Sequence, residues 1–381
     1  MNDPIPTRWR GLVCLAFVYG SALISVGRSA TNETPKSARG FSYIHDEVPD
    51  GPLSVHIVKI DRSNTELELH TSLAGGTTYG LSTLAEQIKL FPAELGRPVA
   101  AINGDFWNDN SDYKGDPKGL QILHEELLSG PCDRTCFWID RAGNPRMTNV
   151  VPKFAVTWPG GEMTPFGLNE ERPKDGAVLY TPVLGPSTRT AGGRELILEA
   201  TGSSPWLPLR VGQTYAARVR EIRESGNGPL DRDVMILSLG PQLLSGLPKV
   251  NSGVLLKLSI STWPDLAGAR TAIGGGPTLV QNGKPMQWSG YQPRHPRTAI
   301  GWNEHYLFFL VVDGRQNGLS IGMTFPQLAA YMAKLGCAQA MNLDGGASAT
   351  CWVLGQVMNS PSAGHQRNMA NALILVQKEK K

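Results

Sequence analysis

The chain has 381 residues, 41% of them hydrophobic and 18% charged, which is enough to bury one large core or two modest ones. A net charge of +3, with no dense Lys/Arg run interleaved with aromatics, argues against a nucleic-acid partner. Counts of 43 glycines and 28 prolines point to many turns, and so to many strands.

The N-terminus sets Arg8 and Arg10 before an apolar run from Gly11 to Gly27, with Arg28 after it. A basic flank and an apolar stretch read as an export signal over 1–27, with Ser25-Val26-Gly27 offering small residues for cleavage. The run is also long enough to stay as a single anchor, so both forms are expected. Localisation follows as exported: periplasmic, envelope-bound or secreted. Residues 28–40 read as a polar linker, and 41–97 as N-terminal strands and a helix packed on a catalytic domain over 98–378.

In chain order, Ser54 to Asp61 and Glu66 to Ser72 alternate as strands joined by Arg62-Ser63-Asn64. Ser82 to Leu90 reads as a short helix, with Thr83 three residues before Glu86 as in a capping box. Pro98 to Asp105 is a buried strand, and the polar stretch Asp109 to Gly119 is a loop placed to overhang a site. Six strands follow: Phe154–Trp158, Ala177–Thr181, Glu195–Glu199, Ala216–Ile222, Val234–Leu239 and Val254–Ile260. Thr278 to Gln281 and Tyr306 to Val312 are further strands, the second continuous enough to be central. Thr324 is the N-cap of the clearest helix, with Leu328, Ala329, Met332, Ala333 and Leu335 on its apolar face and Gly336 at its end. Ala338 to Met341 and Ala372 to Val376 are the last strands. The fold class predicted is α+β: mixed, largely antiparallel sheets with a few packed helices in a single catalytic domain.

Five cysteines become four once Cys14, inside the apolar run, is set aside. An even number in an exported chain suggests disulfides. Cys132 and Cys136 could close a small loop. Cys337 and Cys351 stand equally far from Asp344 and would meet if that stretch were a hairpin. Zinc is not indicated, because Cys132 and Cys136 lack a second pair at the right spacing.

Four strand ends carry a charged group against a glycine or a turn: Asn103-Gly104-Asp105, Pro296-Arg297-Thr298, Asp313-Gly314-Arg315 and Asn342-Leu343-Asp344-Gly345-Gly346. Such ends predict convergence on one pocket. Asp344, then Asp105 and Asp313, are the candidate catalytic carboxylates, with Glu195 a fourth. Arg297 and Arg315 are the candidate guanidinium forks for the anionic substrate that the resemblance given below implies, and Arg189, His295 and Arg367 rank behind them. Backbone N–H groups at Gly345, Gly346 and Ala347 could form an anion nest. Asn103, Asn342, Thr298 and Ser348 would position the substrate. Trp107, Trp288 and Tyr291 read equally as core or, on the resemblance given below, as rings that stack on a sugar. Three converging aspartates could hold Ca²⁺ or Mg²⁺, although no EF-hand, HExxH or histidine cluster supports a metal, so the metal ligands stay unassigned. Gly-x-Ser-x-Gly is absent.

In this order, these segments resemble the phosphodiester glycosidase family. The stretches carrying the likeness are Ile102–Phe106, Gly274-Gly275-Gly276-Pro277, Arg294–Gly301, Val312–Gln316, Ser320–Thr324, Asn342–Ser348, Asn359–Ser362 and Arg367. Ala347 and Ala349 depart from the family pattern, which usually has a glycine and a serine there. The resemblance implies hydrolysis of the bond between a sugar's anomeric carbon and a phosphodiester oxygen. The partner it implies is a sugar-phosphodiester glycan of the envelope or extracellular space. The rival readings are a metal-dependent phosphodiesterase attacking phosphorus and a non-catalytic protein that binds anionic glycans.

Overall fold

A computed structural model describes residues 37–38, 40–48, 51–109, 112–202 and 205–378. The expected leader over 1–27 and most of the 28–40 linker lie outside them. Residues 35–381 form one compact unit.

Four sheets dominate, of eight, eight, six and five strands. Among the described residues the α-helices are only Leu84–Leu90 and Phe325–Lys334. The α+β expectation is therefore corrected towards a sheet-dominated, almost wholly antiparallel fold. The reason lies in the connections. Antiparallel neighbours can be joined by short turns rich in glycine and proline, whereas parallel crossovers would need helices. The six strands expected across the middle of the chain all form, and all lie in one eight-stranded sheet.

The other eight-stranded sheet runs in the order Phe41–Val48, Leu53–Asp61, Tyr306–Val312, Arg297–Trp302, Gln339–Asn342 and Thr278–Gln281, with short edge strands at both ends. Beside it lies the five-stranded sheet: Gln356–Val357, Cys351–Val353, Arg97–Asn103, Asn371–Gln377 and Leu67–Leu73. Alternating side chains divide each strand between two cores. Val58, Phe309, Val311, Ile300 and Met341 face Ile102, Leu373, Leu375 and Val353 across the space between these sheets. From the same strands Ile57, Leu310, Val312 and Ala299 face the opposite way, onto Leu328, Ala329 and Met332 of the Phe325–Lys334 helix. Ala101, Ala372 and Ile374 of the five-stranded sheet face Leu84 and Ile88 of the Leu84–Leu90 helix. The result is four layers: helix, sheet, sheet, helix.

Both helices begin on a threonine capping box, Thr83 with Glu86 and Thr324 with Gln327. Each box satisfies end N–H groups that would otherwise be orphaned, a contribution of about 1 kcal/mol.

Two connections pass from one sheet to another. Leu53–Asp61 and Leu67–Leu73 are consecutive strands but belong to different sheets. Residues 339–353 do not form a hairpin either: Gln339–Asn342 is in the eight-stranded sheet and Cys351–Val353 in the five-stranded one. The chain crosses between layers at the Asp344-Gly345-Gly346 turn. Cys337 and Cys351 consequently sit in separate hydrophobic clusters. All four described cysteines are free, with Cys136, Cys337 and Cys351 buried as small apolar groups and Cys132 exposed. This replaces the expected 132–136 and 337–351 disulfides.

Candidate functional site

Antiparallel register brings the charged strand ends to one edge. Arg297 is paired with Val312, and Ala299 with Asn342, so the start of one strand lies level with the ends of its two neighbours. The five-stranded sheet supplies Asn103, at the end of a strand paired with both Asn371–Gln377 and Cys351–Val353.

Hydrogen bonds stitch these ends together. The Asp344 N–H donates to Gly104 O at 3.0 Å, Leu343 N–H to Thr298 O at 2.8 Å, and Gly346 N–H to Pro296 O at 2.9 Å. Asn103 Nδ2 donates to Asp344 O at 2.6 Å, while its Oδ1 accepts from Thr298 Oγ1 at 2.7 Å and Thr350 N–H at 3.1 Å. Asn342 Nδ2 donates to Gly276 O at 3.0 Å. Asn103, Thr298 and Asn342 are buried; the first two spend their side-chain polar atoms on the turn, whereas the Asn342 Oδ1 has no hydrogen-bond partner. They shape the site rather than reach from it.

Asp344 is presented, partly exposed, at the layer crossing. Burial raises its carboxyl above the usual range, opposed by Ser348, the Gly345 N–H, Arg367 and Lys118. Ser348 lies close enough to exert that pull, yet its buried hydroxyl makes no hydrogen bond of normal geometry. Behind Asp344 stands Asp105, 1% exposed. Its Oδ1 accepts from the Phe106 N–H at 2.8 Å, and its own N–H donates to Asn371 Oδ1 at 2.8 Å. Oδ2 is wedged between Gly119 and Gly274, where a Cβ on either would lie 2.7 Å or 2.3 Å from it. Burial pushes Asp105 up to about 7, with Arg134 pulling down and the Asp344 charge pushing up. Two carboxylates in electrostatic contact, one buried and one presented, can share proton traffic near neutrality.

The basic groups fall on two sides. On one, the exposed Arg315 guanidinium packs against the backbone of Gly346, 3.2 Å from where a Cβ would stand, and lies 3.2 Å from His295 Nδ1. Gly346 has φ +61°, a conformation that favours glycine. Arg297, expected as a substrate fork, is instead buried. Its Nε donates to Met323 O at 2.9 Å, its Nη2 to Pro293 O at 3.0 Å, and it stacks 4.0 Å over Phe325. Burial, then the Arg315 charge, lowers it to about 10. His295 is likewise lowered by burial and by the two arginines. On the other side are Lys118 and Arg367, the latter paired with Asp109 at 3.2 Å and stacked 4.7 Å over Trp107.

Asp313 holds a different position. Its carboxylate takes hydrogen bonds from Ser54 Oγ, His56 Nε2, Asn359 Nδ2 and the Ser360 N–H, all between 2.9 and 3.0 Å. Those contacts hold its carboxyl below the usual range despite burial. It is a saturated anchor. Glu195 lies in the middle sheet, accepting from Thr188, Thr190 and Ser238 hydroxyls and the Gly228 N–H. Arg189 donates to Asp112 O and Leu184 O. Neither residue bonds to the Asp344 turn. Trp107 is buried, Trp288 stacks on Phe325, and Tyr291 is 90% exposed. A cleft of about 640 Å³ lined by Asp109, Asp112, Tyr113, Arg172, Lys174 and Arg189 opens beside the Arg367 partner Asp109. Among the described residues no group of three or more His, Cys, Asp or Glu could hold a metal ion.

Sequence reasoning missed Lys118 and Arg134. Lys118 sits in the loop flagged as an overhang, and Arg134 between the two cysteines read as a loop closure. Only the tertiary fold brings them to Asp344 and Asp105.

The family model for phosphodiester glycosidases matches residues 235–376. This chain resembles that family. The matched segment contains Arg297, Asp313, Arg315, Asp344 and Arg367, while Asn103, Asp105 and Lys118 lie before it. A prophage-derived uncharacterized protein of Bacillus subtilis, YomE, is 33% identical over 114 residues, covering 28% of this chain and only 18% of that relative. A hypothetical protein from Synechocystis shares the fold at TM-score 0.70 and 21% identity, covering 88% of this chain and 62% of that one. A Burkholderia pseudomallei K96243 protein, named as a candidate exported protein, does so at TM-score 0.67 and 21% identity, covering 86% and 74%. At such identities the two solved structures speak for the fold alone.

Proposed function

We propose that the chain is a phosphodiester glycosidase that hydrolyses the bond between a sugar's anomeric carbon and a phosphodiester oxygen. The observation carrying this reading is Asp344, a carboxylate presented on a turn whose next residues lie against the Arg315 guanidinium. An anion beside Arg315 would place its glycosyl carbon over Asp344. The family likeness of residues 235–376 supports the same reaction.

The anomeric C–O bond breaks and the bridging oxygen leaves with the phosphate, so little protonation of the leaving group is needed. Arg315 offsets its charge, whereas the Gly346 N–H expected in an anion nest is already spent on Pro296 O and the Gly345 N–H on the Asp344 carboxylate. Water supplies the oxygen that ends on the sugar, and Asp344 is the carboxylate on the carbon side of that displacement. Asp105, held near 7, stands behind it as a proton store. The substrate class is a sugar phosphodiester of an envelope or extracellular glycan. Export rests on the basic and apolar N-terminal segment and agrees with the name of the Burkholderia relative. No helix among the described residues is long and apolar enough to cross a membrane.

Incubation of the full chain with UDP-N-acetylglucosamine in ¹⁸O-water tests the reaction. Label in the free sugar is the expected result. Label in the phosphate would overturn it in favour of attack at phosphorus.

A further inference from the structure

The anion-binding guanidinium of Arg315 stands in an unfavourable backbone conformation. Its φ is +60°, a region that costs a non-glycine residue about 1 kcal/mol. The neighbouring Gly314 admits no side chain, since a Cβ there would come within 2.7 Å of Pro296 N and 2.9 Å of Gly322 Cα. Something must hold this loop, and the hydrogen bonds lead away from the site to a strand near the start of the chain.

The Asp313 carboxylate is the junction. Asp313 Oδ1 accepts from Asn359 Nδ2 and the Ser360 N–H, and Ser360 Oγ donates to Gln316 Oε1 at 2.8 Å. Gln316 Nε2 returns a bond to Ser360 O at 2.7 Å, so the residues on both sides of Arg315 are tied down. Ser320 Oγ donates to Asp313 O at 2.6 Å and closes the loop from its far end. Oδ2 is held by Ser54 Oγ at 3.0 Å and His56 Nε2 at 2.9 Å. His56 is 2% exposed, its Nδ1 lies 2.8 Å from Tyr43 Oη, and its ring stacks on His45 at 4.5 Å. Tyr43, His45, Ser54 and His56 all come from residues 41–61, outside the family-matched segment.

We propose that His56, oriented by Tyr43, is a positioning residue that fixes Asp313 and through it the Arg315 guanidinium, so that the N-terminal hairpin sets the affinity of the site for phosphate. The Asp313 carboxylate can only accept, so the Nε2–H is aimed at it, and Tyr43 Oη at Nδ1 fixes the orientation of the ring. This rests on the reading of Arg315 as the anion-binding group.

Calorimetric binding of N-acetylglucosamine-1-phosphate to the full chain tests it. The variants are His56→Phe, His56→Gln, Tyr43→Phe, Arg315→Ala and the pair His56→Phe with Arg315→Ala. His56→Phe is expected to weaken binding about tenfold, His56→Gln to restore most of it by keeping a donor, and the double variant to be no weaker than Arg315→Ala alone. Tyr43→Phe, isosteric and free of any cavity, is expected to weaken binding severalfold and serves if His56→Phe does not fold. With the phosphodiester substrate, kcat/KM should fall by a similar factor and recover in His56→Gln, because Arg315 both binds the phosphate and offsets its charge as it leaves. Additive losses in the double variant, or unchanged affinity in both His56→Phe and Tyr43→Phe, overturn the positioning role while the anion site stands. Unchanged binding in Arg315→Ala overturns both.

Discussion

His70 lies on the Leu67–Leu73 strand, 2% exposed, and neither ring nitrogen has a hydrogen-bond partner. Its ring meets Phe91 edge-on at 5.6 Å and His124 at 4.7 Å. Burial lowers it from 6.5 to about 4. Glu68 opposes that shift, while His124, Arg270 and Lys378 add to it. A histidine harder to protonate folded than unfolded is silent above pH 6.5. As pH falls from 6.5 towards 4 the unfolded chain takes up the proton first, and stability drains away. One pKa unit is worth about 1.4 kcal/mol, so the full gap amounts to roughly 3 kcal/mol, of which about 2 kcal/mol is lost by pH 5. Urea unfolding followed by tryptophan fluorescence at pH 7 and pH 5, for the wild type and His70→Leu, measures it. The variant starts less stable, because it disturbs a packed site, yet should lose about 2 kcal/mol less on acidification. Equal losses in the two proteins would refute the reasoning, placing the acid sensitivity elsewhere.

Asp344→Asn is isosteric and should leave the melting temperature within a few degrees while lowering turnover by at least 10³-fold; near-normal turnover removes Asp344 from the chemistry. Gly274→Ala would set a Cβ 2.3 Å from Asp105 Oδ2 and 2.9 Å from Gly119 Cα, so denaturant titration should show a loss of about 1–3 kcal/mol. Glu195→Gln replaces a fully hydrogen-bonded buried carboxylate in the middle sheet; it should cost about 1–3 kcal/mol and leave KM unchanged, and a large KM effect would bring Glu195 into the site.

Features that depend on neighbouring residues were legible in the sequence. Thr83 and Thr324 cap the two helices as their spacing predicts, and Tyr306–Val312 forms with the predicted ends in the interior of a sheet. The gathering of Asn103, Asp105, Thr298, Asp313 and Asp344 at one edge follows from strand polarity, since every motif stood where a strand met a turn. Pairing was not legible. Nothing local distinguishes a turn that returns within a sheet from one that crosses between sheets, and the same Asp-Gly-Gly sequence serves both. Exposure was also hidden: Arg297 and Arg315 look alike in sequence, yet one is spent on backbone carbonyls and an aromatic ring while the other faces solvent. Lys118 and Arg134 carried no signal because their value depends on contacts made far along the chain.

The pairing of Leu53–Asp61 with Tyr306–Val312 has a consequence for how the protein is made. The His56–Asp313 contact closes a loop of 257 residues, and the five-stranded sheet needs Asn371–Gln377 between two of its earlier strands. Contacts this distant in sequence form late and slowly. A nascent chain released from the ribosome up to residue 350 would hold unpaired edges in both sheets and no finished site. Until its last strand emerges, such a chain exposes those edges to pairing with other chains.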